Sequence, residues 1–222
     1  MKESYNKGLA FIFEGDTEKY FYINFLEFLC SKHPGWTMRE IDSDFGGTYI
    51  IEKGNFKIIV CTNTVGTITQ VVHSGNWFNN ACADKYSSKT PWDVFLCYDT
   101  DSHEYDITKF QVGDWKALRS QITRRGNVKI IDIAASADIE DVFLKDLTSI
   151  TTFLGLETPL TENDIPNGRK GKVRLKLLFR KYRKTYHEGF RAIPLIQSLD
   201  KQKLIDSGIL PLKDIENSIF QN

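Results

Sequence analysis

Leu9-Ala10-Phe11-Ile12-Phe13-Glu14-Gly15-Asp16-Thr17-Glu18 is an apolar run that stops at an acid and a glycine. Its shortness, its aromatic and β-branched content and its polar stop are those of a strand buried in a parallel sheet. A second run of the same kind, Val94-Phe95-Leu96-Cys97-Tyr98, ends in Asp99-Thr100-Asp101. Open α/β sheets gather their ligands at the carboxyl ends of strands. If the two strands are neighbours, Glu14, Asp99 and Asp101 meet at one spot, where their hard oxygens suit Mg²⁺ or Mn²⁺ better than zinc.

Working outward from the first run, Asp16 or Thr17 can cap a helix whose apolar face includes Tyr20, Phe21, Phe25, Phe28 and Leu29, ending near His33 before Pro34-Gly35. A strand is expected at Trp36 to Ile41, a loop at Asp42 to Gly47 and another strand at Phe56 to Cys61. Val65 to Tyr86 reads as helix interrupted near Ser74-Gly75. The Val94 strand, a charged loop through Tyr105, a helix from Trp115 to Arg125 and a strand from Val128 to Ile133 complete the alternation. This order predicts an α/β fold with a mainly parallel sheet and helices on both faces. Beyond Asp138 the pattern is helical: Ile139 to Ser149, Gly171 to Tyr186, and two short pieces after Pro194 and Pro211. The expected division is a sheet domain over 1–150 and a helical C-terminal extension over 151–222.

The 222 residues are 41% hydrophobic and 26% charged, the balance of an ordinary globule and not of a disordered chain. With 29 basic and 29 acidic residues the whole molecule is not a polycation, so affinity for a polyanion requires charge sorted onto one face. Residues 169–184 show such sorting, with nine basic residues in sixteen: Arg169, Lys170, Lys172, Arg174, Lys176, Arg180, Lys181, Arg183 and Lys184. No apolar stretch approaches the ~20 residues of a membrane-spanning helix, and no signal-peptide core follows Met1, so a cytoplasmic protein without membrane contact is expected. Cys30, Cys61, Cys82 and Cys97 lack metal spacing and read as reduced core residues. His33, His73, His103 and His187 show no ligand spacing, and Trp77, Trp92 and Trp115 read as core.

Gly15 lets the backbone turn from strand to helix, and the free N–H groups of that helix open towards Glu14, an arrangement able to hold a phosphate near a metal. Asp99 and Asp101 repel each other unless a cation screens them. The bland alternatives are a solvated glutamate and helix-capping aspartates. An Asp-x-Asp after a strand also opens haloacid-dehalogenase-like phosphatases, but its place deep in the chain and the histidine at 103 argue against that reading. In a glycosyltransferase, Glu14-Gly15 would have no role.

Together, Glu14-Gly15-x-Thr17-Glu18 and Asp99-x-Asp101, each behind an apolar run, resemble the Toprim domain, the metal-binding fold of type IA topoisomerases, primases and nucleases of the OLD and RloB kinds. Tyr20, Phe21 and Tyr22, and the stretch Ser136 to Leu144 with Glu140 inside it, are most similar to the small bacterial OLD/RloB-like proteins. The resemblance runs from about Leu9 to Leu147 and lacks a proline expected near Asp138. It implies a metal-dependent nuclease, often a phage-defence component working with an ATPase partner. It also implies Glu14, Asp99 and Asp101 on a first Mg²⁺ or Mn²⁺, Glu18 and Glu140 towards a second, and Gly15, Thr17 and Ser136 close to the phosphate. Lys172, in the Gly168-to-Lys172 loop, is the candidate for assisting the scissile phosphate, and Arg169, Lys170, Arg180, Lys181, Arg183 and Lys184 for binding DNA or RNA. The chain has no Gly-x-x-x-x-Gly-Lys-[Ser/Thr] of its own, so ATP hydrolysis would need another protein. A Toprim-like module that binds nucleic acid or a partner without turnover is the competing reading. Trp77 and Phe78, taken as exposed, suggest a homodimer.

Overall fold

The computed structural model describes residues 4–43, 47–86, 89–100, 112–124 and 126–221. The opening apolar run is the centre of a six-stranded sheet of order β2-β3-β4-β1-β5-β6. Strand β1 (Lys7–Phe13) pairs in parallel with β4 (Phe56–Thr64) on one side and β5 (Trp92–Asp99) on the other. Strand β6 (Val128–Ala135) continues in parallel beyond β5. At the opposite edge β2 (Thr37–Asp42) and β3 (Thr48–Lys53) add an antiparallel ladder. The sheet is therefore mixed but mostly parallel, as the alternation predicts. Strand β3 is absent from the sequence reading, because Thr48 to Lys53 sits between glycines and resembles the tail of a loop.

Alternation with period two sends Leu9, Phe11 and Phe13 to one face and Ala10 and Ile12 to the other, and all five are fully covered. On the first face lies α1 (Asp16–Lys32), with rings stacked from sheet to helix: Phe11 on Phe95 at 4.6 Å and Phe13 on Tyr22 at 5.6 Å between centroids. The other face is covered by α4 (Val112–Thr123) and a helical run of changing pitch. That run passes from 3₁₀ (Ile68–His73) to α2 (Ser74–Trp77), a π segment (Phe78–Ala83) and α3 (Asp84–Tyr86). The first change of pitch falls at Ser74, where the sequence suggests an interruption. Phe78 is completely buried against Trp92 and Trp77 is half-buried, so the argument for a homodimer from exposed aromatics at these positions does not hold. The four cysteines are free and buried, as expected.

The helix expected over Ile139 to Ser149 is two helices, α5 (Ile139–Phe143) and α6 (Leu147–Leu154). The break is set by Asp146, a fully buried carboxylate that accepts the Ser149 N–H at 3.3 Å and the Asp200 N–H at 2.8 Å. Helix α7 (Gly171–Lys181) stops short of Tyr186, and α8 (Ile193–Ser198), α9 (Lys201–Ser207) and α10 (Leu212–Phe220) follow. Pro194 lies inside α8 in its first turn, where a missing N–H costs nothing. The extension expected from 151 onward is built into the same body as the sheet. One apolar cluster runs from Leu9 through Phe143 and Leu178 to Ile219, and the expected boundary at 150 falls inside α6. Lys7 fixes the last helix to the sheet, bridging Asp93 at 2.7 Å and the Ser218 carbonyl at 2.6 Å.

Candidate functional site

Because β1 lies between β4 and β5, the chain leaves β1 towards one side and returns on the other, which opens a crevice at the carboxyl ends of the parallel strands. Glu14 and Asp99 meet there: the Glu14 carboxylate accepts the Asp99 N–H at 3.1 Å, and the Glu14 N–H donates to the Cys97 carbonyl at 3.1 Å. A cleft of about 480 Å³ opens over them, lined also by Gly15, Thr17, Glu18, Glu140 and Lys172. Asp101 and His103 lie outside the described residues.

The first turn of α1 has uses that its sequence does not disclose. Gly15 is extended, with φ −138° and ψ 169°, a conformation open to any residue, and a methyl group there would meet only the Glu18 carboxylate at 3.5 Å. The chain does bend between β1 and α1, but the bend does not require glycine. Glu18 folds back to accept the Gly15 N–H at 2.5 Å, and the Thr17 hydroxyl accepts the Gly189 N–H at 2.9 Å. Thr17 thus ties the C-terminal segment to the cleft.

The segment after β6 is ordered by Thr100, the middle residue of the Asp-x-Asp motif. Its N–H donates to the Ala135 carbonyl and its hydroxyl accepts the Ala137 N–H, both at 3.0 Å. Ala137 takes a left-handed conformation with φ 65°, which makes the turn where the resemblance expects proline. Such a conformation costs about 1 kcal/mol or more in a non-glycine residue. Asp138, 1% exposed, then accepts N–H groups from two helix starts, Asp141 at 3.1 Å and Lys172 at 3.0 Å. Asp141 accepts the Gly171 N–H at 2.9 Å and pairs with Arg174. These bonds press α7 against α5 and bring Lys172, in the first turn of α7, to the cleft where Glu140 lies. Ser136 is half-buried and is not among the residues lining the cleft.

Among the described residues that line the cleft, acids outnumber the one lysine, Lys172. Burial, and then Glu14, Glu140 and Asp138, push the Asp99 carboxyl up to about 8. Glu18 is raised well above the ordinary range by burial and by Asp99 and Glu14. Burial and Asp138 push Glu140 up to about 7, although the Tyr186 hydroxyl donates to it at 2.8 Å. The lysine that lines the cleft is partly spent, because Lys172 pairs with Glu188 at 2.9 Å while Lys176 takes the other Glu188 oxygen at 2.5 Å. Among the described residues no group of three or more His, Cys, Asp or Glu side chains is arranged to hold a metal ion. One observation nevertheless fits a cation: Asp99 Oδ1 is buried and has no hydrogen-bond partner. Glu18 and Glu140 each spend one oxygen on a bond that orders the site.

The basic stretch divides. Lys172 reaches the cleft, whereas Arg180 and Lys181 lie at the far end of α7, about 12 Å or more along its axis at 1.5 Å per residue, and Arg183 and Lys184 follow just beyond that end. Lys181 pairs with Asp164 at 3.2 Å and Lys184 donates to the Phe153 carbonyl at 3.3 Å, while Arg180 and Arg183 are exposed. Arg169 is exposed and Lys170 half-buried at the start of α7. Sequence reasoning missed Thr100, Asp138, Tyr186 and Glu188. Asp138 carried a signal, an aspartate just before an apolar helical run, whereas Tyr186 and Glu188 carried none.

These features define an α/β protein with an acidic cleft at the switch point of a mostly parallel sheet. No protein-family model matches the chain, and no curated protein does. Among solved structures, a futalosine hydrolase mutant of Helicobacter pylori strain 26695 aligns over 99% of this chain and 100% of its own at 9% identity, with a TM-score of 0.29. That likeness is too slight to carry an argument about the site. Among the described residues no helix is long and apolar enough to cross a membrane.

Proposed function

We propose that the protein is a metal-dependent nuclease of the Toprim kind, cleaving phosphodiesters of DNA or RNA, and that it works in phage defence with a separate ATPase. The observation that carries this reading is the meeting of Glu14 and Asp99 at adjacent strand ends, with a buried Asp99 oxygen lacking a hydrogen-bond partner in an acidic cleft. Glu14 and Asp99 would hold Mg²⁺ or Mn²⁺, together with Asp101; such an ion supplies Lewis-acid polarisation of a phosphoryl oxygen and a more acidic water. Lys172 would exchange Glu188 for a substrate phosphate and offset charge on the leaving oxygen. Glu140, poised at about 7, is suited to take up a proton at neutral pH. Tyr186 keeps that carboxyl oriented.

Cleavage of labelled plasmid, single-stranded DNA and tRNA by the purified protein with Mg²⁺, Mn²⁺ or EDTA tests the reading, with Asp99→Asn as the control. Cutting that needs the metal and disappears in the variant is expected. Cutting that persists in EDTA or in the variant would overturn it. Absence of cutting together with Asp99-dependent Mg²⁺ uptake by calorimetry would favour the non-catalytic binding module.

The far end of α7 has its own expected result. Reversing Arg180, Lys181, Arg183 and Lys184 to glutamate should weaken duplex binding and lower the slope of log affinity against log salt by about 2, one for each arginine, since Lys181 and Lys184 are already bonded to Asp164 and the Phe153 carbonyl. An unchanged slope would remove this surface from the nucleic-acid interface.

A further inference from the structure

One side chain at the mouth of the cleft has no part in the carboxylate chemistry. Phe190 lines the cleft and is 64% exposed, while every other aromatic side chain among the described residues is buried or half-buried. An aromatic ring left in water forgoes the 1.5–3 kcal/mol or so that burial would return. Its backbone is not a loose loop. Phe190 stands on a 3₁₀ turn, Gly189–Ala192, pinned at one end by the Gly189 N–H to the Thr17 hydroxyl and at the other by Ala192, which is 2% exposed. Gly189 adopts φ 63°, a conformation open to glycine and rarely to other residues. The Arg191 guanidinium lies over the Phe190 ring, 5.7 Å from its centroid, and Lys172 lines the cleft with Phe190. A flat apolar face with a guanidinium on it, and in the same cleft as that face a lysine that can exchange Glu188 for a phosphate, match the elements of a nucleotide unit.

We propose that Phe190 is a stacking platform for an unpaired nucleobase, so that the cleft takes single-stranded polynucleotide in preference to duplex. A ring at a cleft mouth can receive a base only if the face of that base is uncovered, and in a duplex the neighbouring pairs cover both faces. Stacking is tolerant of base identity, so the preference is for strandedness and not for sequence. The proposal rests on the nucleic-acid reading above and does not require turnover.

Fluorescence anisotropy with labelled 12-mer single strands, with Ca²⁺ in place of Mg²⁺ or Mn²⁺ so that the carboxylates are screened while cutting is suppressed, reads the effect directly. Phe190→Ala should lose affinity about 5- to 150-fold, the range for removal of one stacked base. Phe190→Trp should retain affinity and show quenching of its fluorescence on binding. Abasic sites should weaken binding to the unaltered protein and leave Phe190→Ala indifferent, and duplex affinity should not change. Single-strand affinity in Phe190→Ala equal to that of the unaltered protein would overturn the proposal, as would absence of oligonucleotide binding by the unaltered protein. A loss of oligomeric mass in Phe190→Ala with unchanged oligonucleotide binding would place the ring in a protein contact instead. If Phe190-dependent binding appears but no metal supports cutting, the nuclease reading fails and the stacking subsite stands.

Discussion

Asp99→Asn is expected to raise the melting temperature of the metal-free protein at pH 8 by about 5 °C or more while abolishing metal-dependent cleavage. Burial, then the neighbouring Glu14, Glu140 and Asp138, hold the Asp99 carboxyl at about 8, against an ordinary 3.8. An acid whose folded value is raised binds more protons folded than unfolded, so stability falls as pH rises from about 4 to about 8 and is flat above. At about 1.4 kcal/mol per pH unit the accumulated cost at pH 8 is several kcal/mol. Solvent that relaxes around the cleft will reduce it. Asparagine removes the charge and keeps the shape, and about 2–4 °C is expected for each kcal/mol recovered. Mg²⁺ or Mn²⁺ should stabilise the unaltered protein, most at pH 8 and above where Asp99 is ionised, and should leave the variant unchanged. Scanning calorimetry at pH 5 and pH 8 checks both halves. A variant less stable than the unaltered protein at pH 8 would mean that Asp99 is already neutralised within the chain.

The positions of Glu14 and Asp99 were legible because two short strands read from composition have only a few ways to pair. A parallel neighbour places the two strand ends side by side, and their registers bring Phe13 opposite Cys97. The first helix and strands β4, β5 and β6 were legible for the same reason: each is long enough, or apolar enough, to show its period. What escaped depends on contacts distant in sequence. Tyr186 meets Glu140 across 46 residues and Gly189 meets Thr17 across 172. No local spacing announces such bonds. The split of α5 from α6 was hidden because Asp146 looks like a tolerable mid-helix acid until Asp200 and Lys203 are seen against it. The basic stretch misled in a different way. Counted along the chain it is one cluster, but the helix carries its first lysine to the cleft and its last cations to another surface.

The glycines reverse what sequence suggests, and that reversal yields the second large effect: Gly171→Ala should lower stability by about 3 kcal/mol, whereas Gly15→Ala should cost less than about 1 kcal/mol. A methyl group at Gly171 would stand 2.1 Å from the Asp141 nitrogen and 2.6 Å from the Glu140 carbonyl carbon, backbone atoms that cannot swing aside. Relief requires α7 to retreat from α5, which stretches the Gly171 N–H bond to Asp141 and the Lys172 N–H bond to Asp138. The same retreat withdraws Lys172 from the cleft, so activity should fall even at temperatures where the variant remains folded. At Gly15 the methyl group would meet only the Glu18 oxygen at 3.5 Å, an ordinary contact, and the Glu18 bond to the Gly15 N–H can persist. Thermal melting of the two variants side by side should separate them by about 4 °C or more, given 2–4 °C per kcal/mol for a chain of this size. Equal melting temperatures would mean that the α5–α7 junction yields cheaply. In that case Asp138 and Asp141, which bind the start of α7 across it, could not be what fixes Lys172 beside the carboxylates.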